Sequence, residues 1–191
     1  MSEKQVHSVL STTIEYQNDF LEVVAKRATG YPTDTPFYAL SCADYIGIIA
    51  LDPDDQILLV RQYRPVVEDY TLELPGGTLE PGEDPAVCAR RELLEETGHR
   101  AVSLDLMGTL ITDTGRMTNR LWCFMARVEK ADQPASPTAD EPSLQWLSMH
   151  YQTFLDDYVS TGRFRPALNY SVLLLALLQN RFQQPVQECG S

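Results

Sequence analysis

Hydrophobic and polar residues alternate with a period of two over TTIEY (Thr12–Tyr16) and FLEVVAK (Phe20–Lys26), with the turn-forming Gln17-Asn18-Asp19 between them. That period places successive side chains on opposite faces and predicts a β-hairpin ending near Ala28. Gly30 to Pro36 reads as a loop and Phe37 to Ser41 as a third strand. This opening segment has too little apolar mass for a core of its own, so it must lean on another surface. Two nearly continuous apolar runs follow, YIGIIAL (Tyr45–Leu51) and QILLVRQY (Gln56–Tyr63), around Asp52-Pro53-Asp54-Asp55; they predict a hairpin buried on both faces. Ser103 to Thr112 and Leu121 to Val128 alternate again as two more strands. Tyr151 to Ser160 and Pro166 to Phe182 read as helices, with Gly162 stopping the first and Pro166 opening the second. The tail after Gln183 is expected to fray.

Between the strand patterns lies Glu73 to His99, ELPGGTLEPGEDPAVCARRELLEETGH, where residue types and spacings together call for chemistry. Pro75, Gly76, Gly77, Pro81 and Gly82 punctuate a loop where backbone can approach a ligand. Asp84 is placed as an N-cap, Pro85 suits the first helical position, and Gly98 stands where a left-handed C′ residue belongs. Within that helix Glu92, Glu95 and Glu96 fall at i, i+3 and i+4, which brings three carboxylates to one face, while Ala86, Ala89, Leu93 and Thr97 form the packing stripe. Like charges so placed repel by a few tenths of a kcal/mol per exposed pair. A hard divalent cation, Mg²⁺ or alternatively Mn²⁺, relieves that conflict. A solvated acidic face is the plainer account of such a pattern taken alone.

Composition narrows the field. The chain has 191 residues and is 43% hydrophobic, enough for a sizeable core. Lys and Arg total 15 against 27 for Asp and Glu, a formal charge of −12, which argues against nucleic acid as a partner and for a small-molecule substrate. MSEKQVHS lacks the regions of a signal peptide and no apolar run reaches membrane-spanning length, so the expectation is a cytoplasmic protein without a membrane partner. Cys42, Cys88, Cys123 and Cys189 are scattered, with neither zinc spacing nor a disulfide framework, and Cys88 reads as a packing residue despite its place near a helix N-terminus. His7, His99 and His150 share no motif.

Gly77, five residues, Glu83, seven residues, then Arg91-Glu92-Leu93-Leu94-Glu95-Glu96-Thr97-Gly98 resembles the signature of the Nudix hydrolases. These enzymes cleave nucleoside diphosphates linked to another moiety. The match departs at His99, where the family has an aliphatic residue; the expected effect is on packing after the helix. By resemblance, Glu92, Glu96 and, with less weight, Glu95 bind the metal, together with a backbone carbonyl near Gly76. Arg91 joins the catalytic group through an ion pair with Glu83 that fixes loop against helix. R-Q-Y-R at Arg61 to Arg64, followed by E-L-P-G-G at Glu73 to Gly77, resembles the ADP-ribose or ADP-sugar pyrophosphatase branch. That branch implies Arg61 and Arg64 near the diphosphate, Glu73 beside the metals or ribose, and Glu141, with Asp140 in reserve, on a loop that orients or deprotonates the attacking water. Arg116 and Arg120 read more simply as solvated charge on a polar connection.

The resemblance implies an α/β fold: a Nudix-type α/β/α sandwich with a mixed sheet over residues 43–191, and an N-terminal antiparallel β appendage over residues 1–42 that makes a homodimer. The implied reaction is Mg²⁺-assisted hydrolysis of a nucleoside diphosphate sugar, foremost ADP-ribose to AMP and ribose 5-phosphate. The branch usually carries a proline about sixteen positions past its signature, and here none stands between Pro85 and Pro134. GDP-mannose, a dinucleoside polyphosphate or a damaged nucleotide therefore remain open as substrates, as does a nucleotide-sugar-binding regulator without turnover.

Overall fold

The computed structural model describes residues 7–32, 34–132 and 143–183, which fall into two compact units. The first contains the chain up to Asp44 together with Leu110–Arg120. Its strands β1 (Val9–Gln17), β2 (Leu21–Ala28) and β3 (Phe37–Cys42) pair antiparallel in that order. The β1–β2 turn forms because the Asn18 side chain accepts from the backbone N–H of both Phe20 and Leu21, an Asx turn. Val24 and Ala25 are the buried apolar residues of this unit among those described, whereas Val9, Ile14, Tyr16, Phe37 and Tyr38 are exposed.

The second unit carries a six-stranded mixed sheet, ordered β6-β5-β4-β8-β7 with β9 on the other edge of β5. Its strands are β4 (Tyr45–Leu51), β5 (Gln56–Arg64), β6 (Asp69–Glu73), β7 (His99–Ile111), β8 (Arg120–Lys130) and β9 (Gln145–His150). Strand β4 runs parallel to β8 in unbroken register from Tyr45–Leu121 to Leu51–Arg127. Burial on both faces explains the continuous apolar runs of β4 and β5.

The β4–β5 hairpin is narrower than its sequence implies, for only Leu51 and Ile57 pair directly. The cause lies downstream. Strand β6, unforeseen in the sequence, pairs with β5 from Val60–Glu73 to Arg64–Asp69, and the chain then crosses to β4. There the Ile46 N–H donates to the Gly77 carbonyl and the Ile48 N–H to that of Pro75, each at 2.9 Å. The glycine loop thus occupies the edge of β4 that a long hairpin would have used.

Helix α1 (Pro85–Thr97) starts and stops as its sequence dictates: Asp84 accepts from the N–H of Ala86 and Val87, and Gly98, at φ 67°, donates to the Leu94 carbonyl. It packs Cys88, Ala89 and Leu93 against Ile46, Ile48, Ala50, Leu58 and Phe124 on one face of the sheet. Fully buried Leu93 contributes roughly 1.5–3 kcal/mol through that burial. Strand β7 begins directly at His99, whose ring is buried edge-on to Trp146 at 5.0 Å, with Nδ1 2.8 Å from the Thr97 carbonyl oxygen.

On the opposite face lies α3 (Ala167–Leu178), so close to β4 that a Cβ on Gly47 would stand 2.8 Å from a Val172 methyl. The helix expected over Tyr151 to Ser160 is one α turn, α2 (Tyr151–Phe154), that widens into π-helical Leu155–Val159, and Gly162 ends the segment at φ 71°. Helix α3 also stops short of Phe182, which falls in a 3₁₀ turn, Arg181–Gln183.

Candidate functional site

The glycine loop and α1 meet edge to edge. Because Pro75 and Gly77 turn their carbonyls to β4, the residue between them turns the other way: the Gly76 N–H donates to Glu96 Oε2 at 2.8 Å. Glu96 is 6% exposed, an unusual degree of burial for a carboxylate. Space constrains the two glycines differently, backbone at Gly76 and a side-chain end at Gly77. A Cβ on Gly76 would lie 2.1 Å from the Ile46 carbonyl oxygen, and one on Gly77 would lie 2.4 Å from the Glu92 carboxylate.

Arg91 organises the acidic face. Its Nε and Nη2 donate to the two oxygens of Glu83, both at 3.0 Å, a bidentate fork that ties the loop to α1. Its Nη1 donates to Glu92 at 2.8 Å and to Glu95 at 3.1 Å. The fork from Arg91 holds the Glu83 carboxyl at about 2, against an ordinary 4.5. In return, hydrogen bonding to Glu83 pushes the Arg91 guanidinium up, so it stays charged at any accessible pH. Burial and the neighbouring Glu83 carboxylate push the Cys88 thiol up to about 12, which leaves it an inert packing group.

The donor types suit a hard divalent cation: carboxylate oxygens from Glu92, Glu95 and Glu96 of one helix, with the loop backbone against Glu92 and Glu96. Among the described residues no three acidic, His or Cys side chains stand together as a ready-made cage, because Arg91 draws Glu92 and Glu95 toward itself while Glu96 faces Gly76.

A second ion pair lies on the α1 side of the sheet. Arg64 grips Glu73 with Nε on Oε1 at 2.8 Å and Nη2 on Oε2 at 2.7 Å, and Thr71 also donates to Glu73. Burial pushes the Glu73 carboxyl up, and the bonds from Arg64 and Thr71 outweigh it, leaving the group lowered. Arg61 is placed differently. Leu58 faces α1, so alternation along β5 sends Gln62 and Arg64 the same way and Arg61 the other, where its Cζ sits 3.9 Å above the Tyr70 ring. The two arginines look to opposite faces of the sheet.

Glu141 and Asp140 lie outside the described residues. Arg116 and Arg120 belong to the first unit, where the backbone of Arg116 pairs with Leu40 and that of Arg120 with Asp44. Sequence reasoning missed Asn169, whose side-chain oxygen accepts from the Leu74 N–H at 2.8 Å and so steadies the entry to the glycine loop from α3. A lone Asn in an apolar helix is the signal that was there to read.

Comparison with known proteins bears on the family and the fold. The NUDIX domain model matches residues 43–164. The methanol dehydrogenase activator of Bacillus methanolicus is 34% identical over 97 residues, 50% of this chain and 52% of that protein. The ADP-ribose pyrophosphatase of Saccharomyces cerevisiae is 30% identical over 125 residues, 61% of this chain and 54% of that one. The chain thus spans about half the length of these curated relatives. A crystal structure of an ADP compounds hydrolase superposes with a TM-score of 0.73 at 21% identity, covering 97% of this chain and 100% of that one, and shares its fold.

Proposed function

The chain belongs to the Nudix domain family, and from that premise we propose that it is a metal-dependent hydrolase of the pyrophosphate bond in a nucleoside diphosphate sugar, with ADP-ribose the foremost substrate, cleaved to AMP and ribose 5-phosphate. One observation carries the reading: two carboxylates of α1, Glu92 and Glu96, lie directly against the backbone of the glycine loop.

Glu92, Glu95, Glu96 and the Gly76 carbonyl would hold Mg²⁺ or Mn²⁺, which when bound supplies charge neutralisation at the diphosphate and acidifies water. The protein's own groups do the rest. Arg91 keeps Glu92 and Glu95 oriented and locks the loop through Glu83. Glu73 and Arg64, clamped to each other on the α1 side, present a guanidinium edge and carboxylate lone pairs to the sugar and phosphate. Arg61, expected beside the diphosphate with Arg64, looks to the other face of the sheet. Glu141, with Asp140 in reserve, is assigned to orient the attacking water and accept its proton.

The exposed apolar side chains of β1 and β3 are the support for a homodimer formed through the N-terminal sheet. No helix among the described residues is long and apolar enough to cross a membrane; the cytoplasmic setting is part of the proposal. Phosphate release through a coupled phosphatase, from ADP-ribose, GDP-mannose, diadenosine polyphosphates and oxidised dGTP with and without Mg²⁺, tests the assignment. Mg²⁺-dependent turnover confined to ADP-sugars is the expected result, lost by more than about a hundredfold in E92Q/E96Q. A folded double variant at full activity refutes the roles given to these glutamates.

A further inference from the structure

On the sheet face turned away from α1 there is a cavity of about 280 Å³ whose lining includes Arg61, Tyr70, Leu147, Tyr158, Arg163 and Arg165. Three guanidiniums converge there in a chain whose acids outnumber its Lys and Arg by 27 to 15. Like charges gathered around one hollow repel each other, and acidic neighbours relieve only part of that here. Arg165 pairs with Asp69 at 2.7 Å. Arg61 and Arg163 make no ion pair among the described residues; each instead lies on a tyrosine, Arg61 over Tyr70 at 3.9 Å and Arg163 over Tyr158 at 4.7 Å. Stacking occupies the flat face of a guanidinium and leaves its in-plane N–H donors open, the edge that grips an oxyanion.

We propose that this cavity is a phosphoryl-anion site, separate from the carboxylate loop, taking inorganic phosphate or the phosphate of a small sugar ester. Donor forks from β5 and from the segment before α3 surround a tetrahedral dianion better than a planar carboxylate, which one fork satisfies. Size sets the upper limit. The volume falls just below the roughly 300–1,000 Å³ of small-molecule sites, room for a sugar phosphate and not for a whole nucleoside diphosphate sugar. Leu147 and Pro166 supply an apolar wall for the carbon skeleton of an ester.

The site stands independently of the hydrolase reading, so its test excludes divalent metal. Isothermal titration of the full chain in EDTA at low ionic strength, with inorganic phosphate and with ribose 5-phosphate, compares wild type, E92Q/E96Q and R61Q/R163Q. Binding is expected in wild type, retained in E92Q/E96Q and weakened about tenfold or more per arginine removed in R61Q/R163Q. Tighter binding of ribose 5-phosphate than of phosphate identifies the ester as the ligand; equal affinities identify the free anion. If the glutamine variant does not fold, R61K/R163K takes its place, retaining charge but losing the forks, and weaker binding is again expected. No heat with either anion in wild type, or binding lost in E92Q/E96Q and kept in the arginine variants, overturns the proposal.

Discussion

Two adjacent glycines should fail in different ways when each is given a methyl group. At Gly76 the obstacle is backbone: a Cβ would lie 2.1 Å from the Ile46 carbonyl oxygen and 3.3 Å from the Gly47 Cα, and neither can move without parting the loop from β4. G76A therefore sacrifices the two hydrogen bonds from Ile46 and Ile48, at about 0.5–1.5 kcal/mol each, and adds overpacking strain of about 1–3 kcal/mol. The sum is about 2–6 kcal/mol, a melting temperature lowered by on the order of 10 °C. At Gly77 the obstacle is the far end of a side chain. Moving the Glu92 carboxylate from 2.4 Å to an ordinary contact of 3.4 Å needs a shift of about 1.0 Å, which Glu92 absorbs by rotating. G77A should then melt within a few degrees of wild type yet lose about a hundredfold in metal-dependent hydrolysis, the usual effect of a displacement of that size at a reacting centre. Thermal unfolding by circular dichroism and the coupled phosphate assay, run on both variants, decide the matter. If G77A is as unstable as G76A, or keeps full activity, the tight contact between loop and Glu92 does not govern the site.

Other outcomes follow from the ion pairs. Glu83 has its folded-state carboxyl lowered from 4.5 to about 2 by Arg91, so the unfolded chain binds the extra proton, and the stability Glu83 supplies is whole above pH 4.5 and lost as pH falls toward 2. In E83Q that acid loss should be reduced, read from melting temperature against pH; an unchanged acid limb contradicts the assignment. R64K should cost about 1–2 kcal/mol, the low end for charge-assisted hydrogen bonds because Arg64 is partly exposed, since an ammonium cannot reproduce the paired bonds to Glu73. Urea unfolding measures it, and equal midpoints for R64K and wild type would mean the fork adds nothing. On gel filtration the full chain is expected at the mass of two copies at micromolar concentration, and a one-chain mass rules out the dimer.

Local rules carried the reading furthest where structure is local. The caps of α1 at Asp84 and Gly98, the Asx turn at Asn18 and the three glutamates on one helix face all depend on residues within one or two turns, and the sequence states them directly. What it hid was partnership. The continuous apolar runs of β4 and β5 showed burial but not which edge pairs with which, so a short loop between them implied a full hairpin where the glycine loop instead lies along β4. Strand β6 escaped notice because DYTLE is short and follows an exposed turn at Val66-Val67. The opposed directions of Arg61 and Arg64 were legible, since residues three apart on a strand must face opposite ways; a motif read as a unit concealed it. Arg163 and Arg165 carry no motif, and only the fold brings them to Arg61.

Arg91 gives the acidic helix a property that its charge count alone would not indicate. One guanidinium already serves Glu83, Glu92 and Glu95, so a divalent ion reaching those carboxylates does not enter a bare anionic hole but trades places with a resident cation. Loading becomes an exchange of counter-charges, with only the difference between two favourable interactions available to drive it. On the proposed metal-dependent reading such a site would release its ion readily and track the surrounding Mg²⁺ level, while in the fold one guanidinium already offsets part of the repulsion among the three carboxylates. A chelator should therefore silence the protein and leave its melting temperature almost where it was.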